Sequence, residues 1–342
     1  MGSYNIAVVG VGAVGEEMLK VIDERHFPTN SVRVLARTAR TITVHNKQYT
    51  VEATTPESFD NVDIALFAGT EGEKGAAVRF AEEAILRGAV VIDNGADFRM
   101  RTDVPLVVPE VNASALDSHR GLIANPNCST AQLVVALKPL HDAARVKRVI
   151  ISTYQAVSGA GSAAVTELAD QNKSITIGNE VTTNIFPLQI AYNVIPQIGG
   201  FDSEGYTSEE MKLVFETRKI LGDPDILVTP VVAARVPVNT GHSEAVYVEL
   251  DRPVSVEEAL SLWNDFPGVQ VWNDSQNPKR AYPTPLEAAG SDETYIGRVR
   301  KDLSNPNALV FWIVSDNLRK GAATNAVQIA EALVSRNLLR RI

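Results

Sequence analysis

The sequence contains one cysteine, Cys128, in the stretch NPNCST, and the apolar residues after it predict a helix over CSTAQLVVALKPL. The thiol would lie in the first turn of that helix, where the helix dipole and unpaired N–H groups favour the thiolate. A thiolate there is a nucleophile, and the same N–H groups can hold a developing oxyanion. The alternative is a buried structural cysteine, the commoner fate of a lone cysteine, which the polar Asn-Pro-Asn lead-in disfavours.

His242 is the histidine whose local context best fits a partner for this thiol. It follows a glycine at the mouth of a predicted strand, near Arg235 and Glu244 in the sequence. An imidazole in such a position can act as a general acid or base. Its distance from Cys128 does not follow from the sequence. The remaining histidines stand in turns, in a polar strand or near a helix end and are expected to be surface residues: His26, His45, His119 and His141.

A third chemical pattern, GVGAVG, lies between an apolar strand over Ile6–Val9 and a predicted amphipathic helix. Glycines at the first, third and sixth positions allow a tight turn, close approach of a pyrophosphate and close packing of helix on strand. The phosphates would bind at the helix N-terminus. The alternative is an ordinary turn, which the strand before and the helix after disfavour. The expected cofactor-binding residues here are Gly10, Val11, Gly12, Ala13, Val14 and Gly15.

The residues after the second predicted strand, SVRVLA, bear on the choice of cofactor. An acidic residue normally binds the ribose hydroxyl of NAD at this point, but the chain reads Arg37 and Thr38. An arginine fork suits a 2′-phosphate, so the sequence favours NADP over NAD, with Arg37 and Thr38 in contact with the cofactor. The alternative is that these are solvated loop charges.

Composition narrows the class of protein. The chain has 342 residues, 45% of them hydrophobic, which is enough for a large core, and its length favours two domains over one. A net charge of −9 without a basic block argues against nucleic-acid or anionic-membrane surfaces and favours a small-molecule partner. No apolar stretch approaches the roughly 20 residues of a membrane span. A single cysteine suits the cytoplasm and excludes a thiol-rich metal site, and no metal is expected.

Strands and helices alternate as far as Cys128, which predicts an α/β fold with an N-terminal Rossmann-type doubly wound parallel sheet. Strands then outnumber helices, which predicts a second α+β domain with a large mixed sheet. The expected bounds are 1–127 for the NADP-binding domain, completed by a C-terminal helix over 318–342, and 128–317 for a catalytic and dimerisation domain. Two pieces near the end of the first domain, LVVPEVN and GLIANPN, are predicted to be extended.

Five motifs behind GVGAVG, in this order, closely resemble aspartate-semialdehyde dehydrogenases: NPNCST, STYQAVSGAG, YTSEEMK, ARVPVNTGHSEAV and VSDNLRKGAATNAVQIAE. The resemblance covers essentially the whole chain. It implies the NADPH-dependent reduction of 4-phospho-L-aspartate to L-aspartate 4-semialdehyde with release of inorganic phosphate, a step towards lysine, methionine, threonine and diaminopimelate. It also implies at least a homodimer, or a dimer of dimers, formed through the sheet of the second domain.

The resemblance assigns the chemistry to three residues. Cys128 would attack the acyl phosphate and form a thioester, which stays electrophilic enough to accept hydride. His242 would move a proton to and from the hemithioacetal oxygen. Gln155 would orient the substrate beside the reacting carbon, whereas a lone glutamine on a strand, without the family, is more simply a cross-strand hydrogen-bonding residue.

The resemblance also assigns residues to substrate and cofactor. Arg235 would bind the substrate carboxylate, which suits a guanidinium fork, and Arg99 with Lys212 would bind the phosphate. Glu209 would hold the substrate ammonium. A surface ion pair is the alternative for Glu209 and Lys212, which are three apart on a predicted helix. Further residues assigned in this way are Asn127 near the substrate, and Ser158, Gly159 and Asn317 near the cofactor.

Some residues depart from the family pattern, and other functions stay open. Glu71 and Glu73 stand in a cofactor loop that is rich in serine in relatives, and Asp97 lies beside Arg99. An N-acetyl-glutamyl-phosphate reductase would use the same thioester but would not need Glu209. An acyl-CoA or phosphorylating aldehyde dehydrogenase would need a basic groove that the sequence does not reveal. A non-catalytic paralogue serving as a binding subunit would not need Cys128 and its partners together.

Overall fold

A computed structural model describes residues 2–69 and 72–339, which form two compact units. The first comprises the described residues of Met1–Asn127 and Ala322–Ile342, and the second is Cys128–Gly321. Each unit has its own sheet. The division falls between Asn127 and Cys128, so the candidate nucleophile is the first residue of the second unit. The NADP-binding and catalytic roles expected for the two domains stay predictions.

The first unit contains a seven-stranded sheet. Its strands are β1 (Tyr4–Val9), β2 (Thr29–Ala36), β3 (Arg40–Val44), β4 (Lys47–Ala53), β5 (Ile64–Phe67), β6 (Val90–Asp93) and β7 (Leu122–Ala124). They lie in the order β3-β4-β2-β1-β5-β6-β7, and every neighbouring pair is parallel except β3 and β4. The sheet therefore winds outward in both directions from β1.

The β3–β4 hairpin is a feature that the strand-helix alternation did not predict. Its turn residues His45 and Asn46 have φ angles of 48° and 64°. Positive φ at both central positions is the geometry of a tight two-residue hairpin turn, whose twist matches that of the strands. His45 is thus a turn residue.

Four helices flank this sheet: α1 (Ala13–Glu24), α2 (Ala76–Leu86), α3 (Pro109–Asn112) and, near the C-terminus, α9 (Thr324–Ser335). Helix α9 buries Ala326, Val327 and Leu333 in the same hydrophobic cluster as Val8 of β1 and Ile92 of β6. The last helix is therefore part of the core of the first unit.

Helix α3 differs from the extended conformation expected for LVVPEVN. Pro109 lies in the first turn of this helix. Backbone N–H groups there make no bond within the helix, so the missing N–H of proline costs nothing, and its fixed φ suits the helix. The Asn112 side chain accepts from the Val108 N–H (2.9 Å) and donates to the Leu106 carbonyl (2.9 Å). These bonds stabilise a single turn that the strand pattern does not reveal.

The second unit contains a six-stranded sheet. Its strands are β8 (Val146–Gln155), β9 (Leu227–Arg235), β10 (His242–Leu250), β11 (Val269–Trp272), β12 (Thr294–Lys301) and β13 (Ala308–Ser315). They lie in the order β11-β12-β13-β10-β8-β9. The pairs β8–β9 and β11–β12 are parallel and the others antiparallel, so the sheet is mixed.

Strand register brings candidate residues to one end of this sheet. Gln155, the last residue of β8, pairs with Arg235, the last residue of β9. The register of these two strands shifts by one residue. Ile151 pairs with Pro230 and Ser152 pairs with Val232, so Val231 has no partner residue on β8. Since β10 runs antiparallel to β8, its first residue lies near the end of β8.

The helices of the second unit are α4 (Cys128–Ala144), α5 (Ser162–Thr176), α6 (Ser208–Leu221), α7 (Val256–Asn264) and α8 (Pro285–Ala288). Helix α4 is buried along most of its length and packs against β10 and α6. Helix α6 begins with a capping box, in which Thr207 and Glu210 bond to each other's backbone N–H groups. Within residues 2–69 and 72–339, no helix combines the length and apolar character needed to cross a membrane.

Candidate active site

Cys128 is the first residue of α4, as the sequence predicts, and its side chain is half-buried. Gly321, the last residue of the second unit, lies directly against it. A Cβ atom added at Gly321 would stand 2.7 Å from the Cys128 Cβ and 3.1 Å from its Cα. No larger residue fits there without displacing the start of α4, so Gly321 is part of the surroundings of the thiol.

His242, the first residue of β10, is completely buried. Its Nδ1 accepts a hydrogen bond from the Ala156 N–H at 3.0 Å, while Nε2 has no partner among the described residues. Burial, with the nearby Arg235 charge, lowers the pKa of His242 to about 3, and Glu209 opposes this shift. The ring is therefore neutral near pH 7, and because Nδ1 accepts, the proton is on Nε2.

Arg235 and His242 meet at Gly159. A Cβ atom there would stand 2.9 Å from Arg235 Nη1 and 3.2 Å from His242 Nε2. Arg235 is buried and donates from Nη1 to the Ala156 carbonyl at 2.7 Å. Burial lowers the pKa of Arg235, whereas Glu209 and Cys128 raise it through their charges. The guanidinium and the imidazole therefore lie together next to the exposed backbone of Gly159, and the charge of Cys128 acts on the same guanidinium.

Gln155 and Glu209 form the next part of the cluster. Both are buried, and Gln155 donates from Nε2 to Glu209 Oε1 at 3.2 Å. Lys212 donates to the other carboxylate oxygen of Glu209, also at 3.2 Å. Glu209 and Lys212 thus form the ion pair that the sequence analysis gives as an alternative. The Glu209 carboxylate is, however, buried near Arg235 and Gln155 and not exposed to solvent.

Asn317 links two loops of the same unit. Its Nδ2 donates to Ser158 Oγ at 3.0 Å, and its Oδ1 accepts from the Gly241 N–H at 2.9 Å. Gly241 immediately precedes His242, and Ser158 immediately precedes Gly159. The amide of Asn317 therefore holds together the backbone segments that carry the histidine and the glycine facing it.

Arg99 and Asn127 belong to the first unit, where both are buried. Arg99 donates from Nη2 to the Asn94 carbonyl at 2.7 Å. Asp97 is exposed and accepts from the Gly72 N–H at 3.1 Å. Its carboxylate therefore bonds to the loop before α2. Glu73 is exposed, and Glu71 lies outside the described residues.

The glycine loop lies at the carboxyl end of β1, the point from which the sheet winds in both directions, where cofactors bind in such sheets. Gly10 has a φ angle of 97°. A Cβ atom at Gly15 would stand 1.9 Å from the Gly10 carbonyl oxygen, so only glycine allows α1 to begin so close to β1. Gly12, the N-cap of α1, has open space where its Cβ would be. These residues fit a pyrophosphate at the N-terminus of α1.

The segment after β2 turns back towards this loop. Arg37 and Thr38 are exposed directly after the strand. Arg40, the first residue of β3, donates from Nη2 to the Val11 carbonyl and from Nη1 to the Thr38 carbonyl, both at 3.3 Å. The Arg40 guanidinium therefore contacts the glycine loop, and Arg40 adds to the residues expected from the sequence.

Comparison with known proteins identifies the family of the chain. Family models described as "Semialdehyde dehydrogenase, NAD binding domain" and "Semialdehyde dehydrogenase, dimerisation domain" match residues 5–119 and 137–320. The aspartate-semialdehyde dehydrogenase of Bacillus subtilis is 47% identical, with 98% of this chain and 99% of that protein aligned. The chain belongs to the aspartate-semialdehyde dehydrogenase family.

Other members of the family agree over the whole length. The Aquifex aeolicus enzyme of the same name is 48% identical over 98% of this chain and 99% of its own. A crystal structure of Vibrio cholerae aspartate semialdehyde dehydrogenase II "complexed with ASA" has a TM-score of 0.92 at 45% identity, covering 98% and 99% of the two chains. The resemblance and the predicted fold class are confirmed.

Three residues around the site have no assigned role in the sequence analysis. Gly321 lies within the stretch predicted as the C-terminal helix, and a glycine in an otherwise helical stretch is a signal of close packing. Gln132, one turn after Cys128, and Glu244, two residues after His242, are fully buried polar residues. The spacing in the sequence was the available signal for both. A separation of four residues on a helix places Gln132 on the side of Cys128, and a separation of two on a strand places Glu244 on the face of His242.

Proposed function

We propose that the protein reduces 4-phospho-L-aspartate to L-aspartate 4-semialdehyde with NADPH and releases inorganic phosphate. This reaction feeds the synthesis of lysine, methionine, threonine and diaminopimelate. The observation that carries the proposal is the meeting of Arg235 and His242 at Gly159, with the charge of Cys128 acting on the same guanidinium. Membership of the aspartate-semialdehyde dehydrogenase family supports it over the full length of the chain.

Cys128 is the nucleophile in this proposal. Its thiolate, favoured by the N-terminus of α4 and by the Arg235 charge, attacks the acyl carbon. The carbon–sulfur bond forms and the carbon–oxygen bond to phosphate breaks, which leaves a thioester and inorganic phosphate. Bound NADPH supplies hydride to the thioester carbon, and the resulting oxyanion expels the thiolate to give the aldehyde. The one proton consumed in the overall reaction goes to the released phosphate.

His242 serves in this scheme as a hydrogen-bond donor to the oxyanion. Its Nε2 carries the proton because Nδ1 accepts from Ala156, and the oxyanion expels sulfur without first being protonated. Full proton transfer at His242 would require an imidazolium, whose Nδ1–H would point at the Ala156 N–H. The hydrogen bonding thus supports a donor role in preference to the proton-transfer role that the family resemblance implies.

The charged residues of the cluster match the ends of the substrate. Arg235 can bind the α-carboxylate through its guanidinium fork, and Glu209 can accept from the ammonium. Lys212 and Arg99 are assigned to the phosphate, as the family resemblance implies. Asn127, which precedes Cys128, and Gln155, which ends β8, orient the substrate. Glu209 favours an amino-acid substrate over an N-acylated one, which has no ammonium to bind.

The cofactor is held in this proposal by the glycine loop, residues 10–15, whose open backbone at Gly12 fits a pyrophosphate. Arg37 and Thr38, with Arg40 beside them, bind the 2′-phosphate and favour NADP. Ser158, Gly159 and Asn317 lie at the nicotinamide end. The hydrogen bond between Asn317 and Ser158 keeps these residues in place for that role.

The protein is proposed to act in the cytoplasm as a homodimer, or a dimer of dimers, formed through the second unit. The family model that matches this unit is a dimerisation domain. Apolar side chains that are exposed on this unit offer surface for such an interface, among them Tyr154, Tyr192, Val194, Phe201, Phe215 and Val231.

A phosphate-dependent assay tests the proposed function. The purified protein is given NADP, inorganic phosphate and either L-aspartate 4-semialdehyde or N-acetyl-L-glutamate 5-semialdehyde, and NADPH formation is followed by absorbance. We expect turnover only with the aspartate compound and only when phosphate is present. Turnover with the N-acetylated compound would instead indicate the reductase, and no turnover with either would indicate a binding subunit. NAD in place of NADP tests the cofactor preference.

A further inference from the structure

Two buried polar side chains lie beneath the catalytic cluster without a role in the mechanism above. Glu244 on β10 and Gln132 on α4 are fully buried. The Gln132 amide acts on the Glu244 carboxyl and lowers its pKa, but burial outweighs this and raises the pKa well above its usual value. None of their terminal oxygen and nitrogen atoms has a well-aligned hydrogen bond to a described residue.

The positions of these residues connect them to the reacting groups. Gln132 is four residues after Cys128 on α4, hence on the same side of the helix. Glu244 is two residues after His242 on β10, hence on the same face of the sheet. Helix α4 packs on β10, so the contact between Glu244 and Gln132 lies one step below Cys128 and His242.

The chemistry of this contact is that of a neutral acid and an amide. Each group offers one donor and one acceptor to the other, and rotation about their terminal torsions can close two hydrogen bonds. Apolar residues of the same size would avoid the cost of burying polar atoms that lack good partners. A polar pair at the contact of one helix with one strand therefore suggests that it specifies their relative position.

We propose that Glu244 and Gln132 form a neutral acid–amide pair that sets the position of Cys128 relative to His242. Glu244 and Gln132 are positioning residues, since neither contacts the reacting atoms. The pair acts through the strand that carries His242 and the helix whose first residue is Cys128. This inference rests on the proposed function, because it assumes that Cys128 and His242 act together.

The test compares Glu244→Leu, Gln132→Leu and the double Leu variant with Glu244→Gln and with the swap Glu244→Gln/Gln132→Glu. Two readouts are taken from each: kcat and KM in the phosphate-dependent assay, and the rate at which iodoacetamide alkylates Cys128 without substrates. The matched control is Glu167→Leu, because Glu167 is a buried glutamate of the same unit, bonded to Gln171 on α5 at 3.1 Å.

We expect each single Leu variant to lower kcat and the alkylation rate by about ten- to hundredfold, as small displacements of reacting groups do, with KM for NADP unchanged. The double variant should be no worse than the singles. Glu244→Gln and the swap should stay near wild type, since both keep a neutral hydrogen-bonding pair. The control should lower thermal stability without changing the alkylation rate.

Three results would overturn the inference: loss in Glu244→Gln as severe as in Glu244→Leu, additive losses in the double variant, or unchanged kcat and alkylation rates in the Leu variants. If a Leu variant does not fold, the test rests on Glu244→Gln and the swap. A decrease of both kcat and the alkylation rate in these two variants would count against the pair. Wild-type protein without semialdehyde turnover would refute the proposed function instead, and the alkylation rates would still test the pair.

Discussion

The Nδ1 atom of His242 accepts a hydrogen bond from the backbone N–H of Ala156 at 3.0 Å, and this one contact decides which nitrogen of the ring carries the proton. A backbone N–H cannot accept, so the neutral ring must be protonated at Nε2. Nε2 is the atom next to Gly159 and Arg235. The N–H of the neutral imidazole therefore points to the side of the ring where Gly159 and Arg235 lie.

The tautomer of His242 can be measured directly. In ¹⁵N NMR spectra of imidazole-labelled protein at neutral pH, the ring signals that vanish in His242→Gln should be those of a histidine with a protonated Nε2 and an unprotonated Nδ1. The glutamine amide reaches the position of Nε2, whereas that of asparagine reaches only Nδ1. We therefore expect His242→Gln to keep more kcat than His242→Asn. A protonated Nδ1 at His242, or equal losses in both variants, would contradict the donor role.

His242 also predicts how stability depends on pH. Its pKa falls from 6.5 to about 3 on folding, so the unfolded chain binds a proton in this interval that the folded protein does not. The unfolding free energy is therefore unaffected by this titration above pH 6.5 and decreases as the pH falls towards about 3. The decrease is up to about 1.4 kcal/mol per pH unit.

His242→Gln removes that titration. The difference in unfolding free energy between wild type and variant, from urea titrations at several pH values, should shrink as the pH is lowered through this interval. Other titrating groups are common to both proteins and largely cancel. A difference that does not change with pH would mean that His242 titrates normally in the folded protein.

Cys128→Ser should abolish turnover, because a serine hydroxyl at the start of α4 is not ionised and is a far weaker nucleophile. The substitution is almost isosteric, so the melting temperature and the affinity for NADP, measured by calorimetry, should stay close to wild type. One equivalent of a thiol reagent should inactivate the wild type, and substrate should protect it. Retention of more than a trace of activity would refute the thioester mechanism.

The two ends of the substrate should respond to different substitutions. Arg235→Ala and Glu209→Gln should raise KM for the semialdehyde, and Arg235→Lys should be poor because a point charge cannot replace a fork. Arg99→Ala and Lys212→Ala should mainly raise KM for inorganic phosphate. Loss of one charged hydrogen bond corresponds to roughly ten- to hundredfold. Initial rates at varied concentrations of both substrates separate the effects, and equal changes in both KM values would refute these assignments.

Gly321→Ala should slow alkylation of Cys128 and lower kcat, because the new Cβ would come within 2.7 Å of the Cys128 Cβ and displace the start of α4. The effect is steric, since no positive φ is recorded at Gly321. Gly200→Ala is the control, because nothing lies within 4 Å of its added Cβ. Should both variants alkylate at the wild-type rate, Gly321 would have no part in placing the thiol.

The elements that carry the site could be predicted from the sequence because each has a strong local signal. The helix that begins at Cys128 is indicated by the proline just before it and by the apolar residues after it, and the turn from β1 into α1 is indicated by its glycines. The β3–β4 hairpin was missed because its turn is His45–Asn46 rather than a glycine-containing pair, and α3 was missed because one turn has no periodicity to detect.

The contacts within the site could not be predicted in the same way. The ring of His242 lies beside Arg235 and Gly159 because three strands pair in one register, which depends on interactions distant in the sequence. In the sequence, Gln132 is one polar residue among the apolar residues of a predicted helix, and Glu244 is a charged residue close to His242. Their contact becomes visible only when α4 is packed on β10.

The extra residue in β9 has a consequence for the site as a whole. Side chains on a strand alternate between faces, so an insertion of one residue reverses every side chain beyond it. Ile151 pairs with Pro230 and Ser152 with Val232; if Val231 instead paired with Ser152 in an unbroken ladder, Gln155 would lie opposite Ala234 and Arg235 would point to the opposite face of the sheet. Proline lacks an N–H and is tolerated at such irregularities on an edge strand. The Arg235 charge is thus placed opposite Gln155 by a one-residue irregularity in the strand, and a ladder that continued regularly through Val231 would turn it away from the cluster while leaving every residue of the cluster in the sequence.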